Sequence, residues 1–285
     1  MTSTRNSIAP GGAPSASFRK GGELLAFFAA FVFAFLYLPI AVLILYSFHR
    51  DGVGGFPPRH FTLDWYRQLF SDSSIWDSVL NSLLVAVGAV VLSLLLGVLA
   101  ALALDRADFP GKPLFRRLVL LPLILPGIIT GLSLLMSASF AGLQLSLFTV
   151  FLGHASALIS VATTELFAGL QKIDPALEEA SLDLGATPWQ TFWQVTLPNL
   201  RLSLVAAALL IFTLSMDEIA VTFFLIGREN TLPLEIWARL RRGITPEINA
   251  ISTLIFLVSV ILIVIWYRIR ARSIGKEARE LLERP

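Results

Sequence analysis

Six long apolar stretches, separated by short polar segments, constrain this chain more than any other feature. Each is long enough to cross a bilayer as a helix, which takes about 20 apolar residues. Because the lipid core offers the backbone no hydrogen-bond partner, such stretches fold as helices. The sequence therefore predicts an all-α polytopic membrane protein with six transmembrane helices, at residues 23–48, 79–104, 118–141, 145–170, 200–226 and 248–267.

The composition agrees with this fold class and excludes several functions. Hydrophobic residues make up 55% of the 285 residues and charged residues only 15%, as in membrane proteins. The net charge of +2 is too small to indicate nucleic-acid binding, and the lack of cysteine excludes disulfides and thiolate metal sites. No G-x-x-x-x-G-K-[ST] phosphate loop occurs, so we expect no ATP site, cofactor, metal or catalytic residue in this chain.

The polar segments divide the chain into three regions. Residues 1–22 are rich in Pro, Gly and Ser and are predicted to be a disordered cytoplasmic N-terminus. Residues 23–267 form the six-span transmembrane domain, and residues 268–285 form a basic cytoplasmic tail. If the N-terminus is cytoplasmic, 15 of the 22 Lys and Arg residues lie on the cytoplasmic side, which favours an orientation with both termini inside.

The polar segment between the fourth and fifth spans carries clear helix start and stop signals. Asp174 is suited to cap a first short helix, and Gly185 is suited to end it in the left-handed conformation. Thr187 and Gln190 form a capping-box pattern that starts a second short helix. Pro198 is then expected to open the next membrane helix.

Part of this segment, at about 174–198, resembles a loop found in binding-protein-dependent ABC importer permeases. That loop reads E-A-A-x3-G-x9-I-x-L-P, and here Ser181 and Val195 replace the second Ala and the Ile. In that family the loop is a coupling helix that docks on the ATPase; the alternative is an ordinary amphipathic helix packed on its own bundle. The resemblance implies a type I ABC importer permease fold, in the bacterial inner membrane, and a coupling role for Glu178, Glu179, Ala180, Asp183, Gly185, Trp189, Trp193 and Pro198.

Six further strings are informative: FTLSMDEIAVTFFLIG, LPLEIW, GITPEINAISTLI, SFHRD, NSLLVA and DFPGKPLF. Together they resemble the second permease subunit of spermidine/putrescine importers. This resemblance implies import of a polyamine or similar organic cation. It also implies four kinds of partner: a homologous permease, two copies of an ATPase that binds ATP and Mg, an external or periplasmic solute-binding protein, and membrane lipid. Ser160 and Gly169 depart from the family pattern in the fourth span, so a phosphonate, an opine or ferric ion stays an alternative solute.

Three acidic residues fall inside predicted spans and are candidates for the substrate pathway. An ionised carboxylate in hydrocarbon is costly, so Asp217, Glu218 and Glu165 should face the bundle interior or a water-filled path. No Arg or Lys lies within the apolar stretch of any span, which favours a passing cation or a neutral carboxyl over an internal ion pair for Asp217. For Glu165 and Glu218 a structural role is an equal alternative. Ser215 is a further pathway candidate.

The third span contains Pro122 and Pro126, and proline inside a helix removes a hydrogen bond and bends it. The bent helix, with Ser137, either lines the pathway or only packs against its neighbours.

The last external loop carries Arg239, Arg241 and Arg242, against the usual charge bias. These residues are predicted either to dock the binding protein or to be tolerated charge on a short external helix.

Two other classes of protein remain as rivals. An ion-driven secondary transporter predicts an inverted repeat, which the sequence lacks. A membrane-embedded enzyme predicts a nucleophile, metal or acid cluster, and only the adjacent Asp217 and Glu218 come close.

Overall fold

The computed structural model describes residues 16–50, 60–243 and 245–261, together with residues 264 and 268, and describes side chains from Leu25 onwards. The regular elements are helices, and one isolated bridge pairs His49 with Phe61. The chain forms two compact units, residues 1–69 with 244–285, and residues 70–243.

The helices are, in chain order, α1 (Ala16–Ser47), α2 (Asp64–Ser71), α3 (Ser73–Arg106), α4 (Lys112–Ile124), α5 (Gly127–Phe140), α6 (Leu147–Leu170), α7 (Pro175–Asp183), α8 (Pro188–Thr191), a π-helical turn (Phe192–Thr196), α9 (Leu197–Met216), α10 (Ala220–Leu225), α11 (Leu232–Arg242) and α12 (Pro246–Ile261).

In the first unit, polar contacts connect the end of α1 to α2. The hydroxyl groups of Ser47 and Tyr66 lie 2.7 Å apart, and Trp65 Nε1 donates a hydrogen bond to the carbonyl of His49 over 2.9 Å. Helix α1 begins at Ala16, within the segment 1–22 that the sequence predicts to be disordered, and the prolines of that segment all precede Ala16. Residues 1–15 and the tail beyond residue 268 lie outside the described residues.

Helices α3, α6 and α9 pack together to form the core of the second unit. Gly97 brings α3 close to α6, where an added Cβ would collide with the side chain of Ala162. Near this approach, Ser93 Oγ donates to the Ala155 carbonyl over 3.0 Å, in a buried contact between the two helices. The apolar residues of the core form a cluster at the end of the unit where α6 meets α7: Ala101, Leu166, Leu170, Ile173, Leu200 and Ala207.

The described helices correspond to the six predicted spans to different extents. Among the residues that the structure describes, four helices are long and apolar enough to cross a membrane: Leu25–Ser47, Ser73–Arg106, Leu147–Leu170 and Pro188–Met216. The pair α4 and α5 gives a fifth if counted as one bent span. The predicted sixth span corresponds to α12, whose described part is shorter than a full span.

The third span is broken rather than gently bent. Helices α4 and α5 meet at 112°, and the break follows Leu125, whose extended backbone (φ −75°, ψ 132°) is the conformation that a following proline favours. The predicted bend is therefore confirmed at Pro126, but residues 118–141 do not form one continuous helix.

The fifth span differs from the prediction at both ends. Helix α8, the π-helical turn and α9 run on as one helix from Pro188 to Met216, so Pro198 does not open the membrane helix. In the wider π-helical turn, Leu197 N donates a hydrogen bond to Phe192 O. This wider turn relieves the steric clash that a proline causes with the preceding turn of a regular helix. At the other end the helix stops at Met216, and α10 begins only at Ala220.

Candidate functional site

The segment between α6 and α9 folds as its local signals predict. Asp174 Oδ1 accepts a hydrogen bond from Ala176 N over 3.0 Å and so caps α7. Gly185 has φ +88°, in the left-handed region that ends a helix. Thr187 and Gln190 form the predicted capping box: Gln190 Oε1 accepts from Thr187 N over 2.8 Å, and Thr187 Oγ1 accepts from Gln190 N over 3.3 Å.

Glu178 connects α7 to two membrane helices. Its Oε1 accepts hydrogen bonds from Arg106 Nη2 at the end of α3 over 3.1 Å, and from Thr196 Oγ1 in the π-helical turn over 2.8 Å. A second link joins the hydroxyl groups of Ser181 and Thr191 over 3.0 Å. These contacts fix the orientation of α7. Sequence reasoning did not identify Arg106, Thr196 or Thr191, because nothing near them in the sequence marks their partners.

The outer face of this segment carries large apolar side chains that the described chain leaves uncovered. Leu184 is 90% exposed, Trp189 68% and Trp193 50%, and the two indole rings meet edge to face with their centroids 5.5 Å apart. Apolar side chains grouped on a polar segment are typical of a protein-binding surface. The remaining predicted coupling residues are exposed as well: Glu179, Ala180, Asp183 and Pro198.

The two broken spans meet at their breaks. Gly127, the first residue of α5, lies against Ala220, the first residue of α10: an added Cβ on Gly127 would be 3.2 Å from the Ala220 Cβ and 3.7 Å from Glu218 Oε1. Irregular backbone at membrane depth is tolerated only where protein or a water-filled cavity covers it. The meeting of two such breaks makes this region the candidate transport pathway.

The two adjacent acids at the second break differ in their surroundings. Asp217 ends α9 in a non-helical conformation (φ −106°, ψ 0°) and its side chain is exposed. Glu218 is half-buried, and its Oε1 accepts a hydrogen bond from Val221 N over 2.9 Å, so it caps α10. Glu218 therefore has a structural role, whereas the Asp217 side chain stays exposed. Glu165 is half-buried on α6.

His154 bridges the break from the side of α6. Its ring nitrogens lie 2.8 Å from Ser215 Oγ, at the end of α9, and 2.8 Å from Thr222 Oγ1, in α10. Thr222 Oγ1 also donates to the Glu218 carbonyl over 2.8 Å. Ser215 is buried and bonded to His154, and its place on the substrate pathway stays a prediction. Sequence reasoning did not assign His154 a role, since its two partners are 61 and 68 residues away along the chain.

Ser137 lies in a separate, mainly apolar recess of about 450 Å³ between α3, α5 and α6, whose lining includes Leu92, Leu134 and Ile159. Its hydroxyl donates to the Ser133 carbonyl of its own helix over 2.9 Å. The lining of this recess includes none of the three acids, so Ser137 is not brought together with them there.

The three arginines of α11 have different environments. Arg239 is mostly buried and pairs with two carboxylates, Asp72 Oδ2 at 2.7 Å and Glu235 Oε1 at 2.8 Å. Arg239 thus connects α11 to the start of α3, and its docking of a partner stays a prediction. Arg241 and Arg242 are exposed.

Both carboxylates of this cluster are held ionised. The hydrogen bond from Arg239 lowers the pKa of Asp72 below its ordinary value, with burial opposing it. Burial alone would raise the pKa of Glu235, but the hydrogen bonds from Arg239 and Asn230 outweigh it, and this pKa is lowered too.

Comparison with solved structures identifies the fold. The chain is similar to a subunit in the crystal structure of a bacterial ABC transporter involved in the import of the acidic polysaccharide alginate. The TM-score is 0.68 at 20% sequence identity, covering 92% of this chain and 99% of that chain.

Residues 93–276 match the family model described as binding-protein-dependent transport system inner membrane component. The chain is 33% identical over 264 residues to the putrescine transport system permease protein PotI of Escherichia coli strain K12, covering 87% of this chain and 91% of the relative. It is 32% identical over 235 residues to the spermidine/putrescine transport system permease protein PotC of Haemophilus influenzae, covering 82% and 91%. These relatives are transport components rather than enzymes. The chain therefore belongs to the family of binding-protein-dependent transport system inner membrane components, the permeases of ABC importers.

Proposed function

We propose that this permease imports a linear polyamine, such as putrescine or spermidine, or a closely similar organic cation. The observation that carries the proposal is the exposed Asp217 carboxylate at the junction of two broken spans. A carboxylate at membrane depth needs a cationic partner or water. The polyamine permeases among the relatives support the same class of solute.

We propose that the permease works in a complex with a homologous permease subunit, two copies of an ATPase and a periplasmic solute-binding protein. The exposed apolar face around Trp189 and Trp193 supports ATPase docking at the α7–α8 segment. Arg241 and Arg242, exposed on α11, are the proposed contacts for the binding protein. This arrangement requires both termini to lie in the cytoplasm.

The continuous helix from Pro188 to Met216 supports a mechanism for coupling these sites. It begins in the docking segment and ends next to Asp217, roughly 40 Å away at the usual rise of 1.5 Å per residue. When the ATPase dimer closes on ATP, the docking segment moves with it. Because helices are stiff along their axes, movement at Pro188 displaces the break and changes access to Asp217.

The test is uptake of radiolabelled putrescine and spermidine by the complete importer in proteoliposomes, comparing Asp217→Asn with the unaltered complex. The substitution keeps the shape of the side chain and removes its charge. We expect uptake to fall at least about 10-fold, because weakening the stabilisation of the bound cation by 1.4 kcal/mol already costs that factor. Complex assembly and basal ATP hydrolysis are expected to be unchanged. The control is Asp77→Asn, which removes an exposed carboxylate from α3.

Equal uptake by the Asp217→Asn and unaltered complexes, over a pH range in which Asp217 ionises, would show that its charge is not used. Failure of the unaltered complex to take up any amine, with ATP-dependent uptake of an anionic solute such as a phosphonate, would refute the solute class while leaving the transport mechanism intact.

A further inference from the structure

A cationic recess lies at the end of the second unit where α3 and α6 finish and α4 begins. Its volume is about 360 Å³. It is lined by three apolar residues and three cationic ones: Leu104, Pro113, Phe167, Lys112, Arg116 and Arg117. The recess is separate from the docking segment and from the helix breaks, and the transport mechanism does not use it.

Two of the three cations of the recess have no carboxylate partner. The guanidinium carbon of Arg116 lies 5.8 Å from the centroid of the Phe167 ring, a cation–π contact that leaves its N–H groups free to donate. Among the residues that the structure describes, no carboxylate lies within 4.0 Å of Arg116 or Arg117. Lys112 Nζ is 3.2 Å from Asp108 Oδ1, but this carboxylate is fully exposed, and such pairs contribute little.

An apolar stripe begins beside the recess and continues along α4. Leu114, Leu118 and Leu121 are spaced by four and three residues, so they share one helix face. They are 59%, 57% and 44% exposed. The stripe covers roughly 10 Å along the helix axis, at 1.5 Å per residue.

We propose that this recess binds the headgroup of an anionic phospholipid, with its acyl chains along the Leu114–Leu121 stripe. The phosphate accepts hydrogen bonds from Arg116 and Arg117, and Lys112 adds a third positive charge. Basic recesses between membrane helices at the cytoplasmic face suit anionic headgroups. A soluble acidic partner would pair with the cations but leave the leucine stripe uncovered. An anionic lipid covers both, because its headgroup pairs with the cations and its acyl chains contact the leucines. The proposal goes beyond the transport function and holds for any solute, provided that this end faces the cytoplasm.

The experiment measures lipid retention without any transport step. The complete importer is exchanged into phosphatidylcholine nanodiscs that contain phosphatidylglycerol as the minor lipid, and the lipids that stay bound are identified by native mass spectrometry. The variant is the double substitution Arg116→Gln and Arg117→Gln. The matched control is Lys172→Gln with Arg201→Gln, which removes two exposed cations near the same end but outside the recess.

We expect the unaltered complex and the control to retain phosphatidylglycerol in preference to phosphatidylcholine. Each cation near an anionic headgroup contributes roughly a 5-fold gain in affinity, so the double variant should bind about 25-fold more weakly. A second variant, Arg116→Lys with Arg117→Lys, keeps the charge and should retain most of the lipid, which separates charge loss from misfolding. Excess inorganic phosphate should leave the lipid bound, because phosphate lacks acyl chains.

Three results would overturn the proposal. The first is equal retention of phosphatidylglycerol by the Gln double variant. The second is displacement of the lipid by inorganic phosphate, which would indicate a site for the free anion. The third is loss of the ATPase subunit from the Gln variant while anionic lipid stays bound, which would assign the recess to a protein contact.

Discussion

The turn at Gly185 offers a quantitative test of whether the α7–α8 segment couples the permease to its ATPase. Two backbone hydrogen bonds close the helix end: Gly185 N donates to Leu182 O over 2.9 Å, and Ala186 N donates to Ser181 O over 3.1 Å. This pair of bonds is the Schellman pattern, which requires a left-handed residue at the position of Gly185. The observed φ of +88° satisfies that requirement.

The cost of replacing Gly185 comes from its backbone conformation alone. No atom lies within 4 Å of a Cβ added at this position, so a side chain there meets no neighbour. An L-residue in the left-handed region costs about 1–2 kcal/mol, which lowers the ratio of native to rearranged turn about 5- to 30-fold. Asn tolerates this region better than other residues, and β-branched residues tolerate it least. We therefore expect a graded loss, with Asn mildest, Ala intermediate and Val most severe.

The assay is ATP-driven uptake by the reconstituted importer, together with the amount of ATPase that co-purifies with each variant. All variants should insert into the membrane, and both uptake and ATPase retention should fall in the order Asn, Ala, Val. The control is Gly142→Ala, because Gly142 also has a positive φ (+67°) and open space around it, but lies in the turn between α5 and α6. This control should cost similar backbone energy without affecting coupling.

The reasoning is refuted if the Gly185→Val complex retains a full complement of ATPase and normal solute-stimulated ATP turnover. An equal loss in the Gly142→Ala control would also count against it, because the effect would then be general destabilisation.

Two further predictions concern the buried polar contacts. His154→Leu removes both hydrogen bonds across the helix break and should destabilise the protein by about 0.6–1.7 kcal/mol per lost bond. Thermal unfolding in nanodiscs measures this loss, and His154→Gln should restore part of it. An unchanged melting temperature with normal uptake would exclude the bridge between Ser215 and α10. Arg239→Gln should cost about 1–3 kcal/mol at neutral pH, because it leaves two carboxylates without their cation. Arg239 lowers the pKa values of Asp72 and Glu235. The extra stability that these ion pairs give the unaltered protein is therefore complete above the ordinary carboxylate pKa range, and it is lost as the pH falls through the lowered pKa values. A melting-temperature difference that stays constant from neutral to acidic pH would contradict this assignment.

The sequence predicted the α7–α8 segment well because its structure depends on near neighbours. The caps at Asp174 and Thr187 and the left-handed Gly185 each involve residues at most a few positions apart. The residues that hold the segment in place were missed for the opposite reason. Glu178 pairs with Arg106, which is 72 residues away in the sequence, and no local pattern marks that pairing.

Apolarity located the long helices but not the breaks between them. The break after Pro126 was predicted as a bend, because proline leaves a visible signal. The break at residues 217–219 contains no proline or glycine, and the helix was wrongly expected to continue. The polar side chains on the two sides of this break are hydrogen-bonded partly by another helix, through His154 on α6. Only the folded structure therefore shows that the chain can leave the helical conformation here at an acceptable cost in free energy.

The adjacent residues Glu178 and Glu179 show how bracing and the proposed docking are divided within one helix turn. Successive residues on a helix point about 100° apart, so one can face the bundle while the other faces outward. Glu178 is half-buried and bonds to α3 and to the π-helical turn, whereas Glu179 is exposed. The resemblance to the importer loop aligns Glu179 with the family glutamate, yet the residue that can transmit a displacement into the membrane helices is Glu178. A force applied by the proposed partner at the exposed face can pass through the Glu178 contacts, through the Ser181–Thr191 link, or along the helix from Pro188 to Met216, and the last route ends at Asp217.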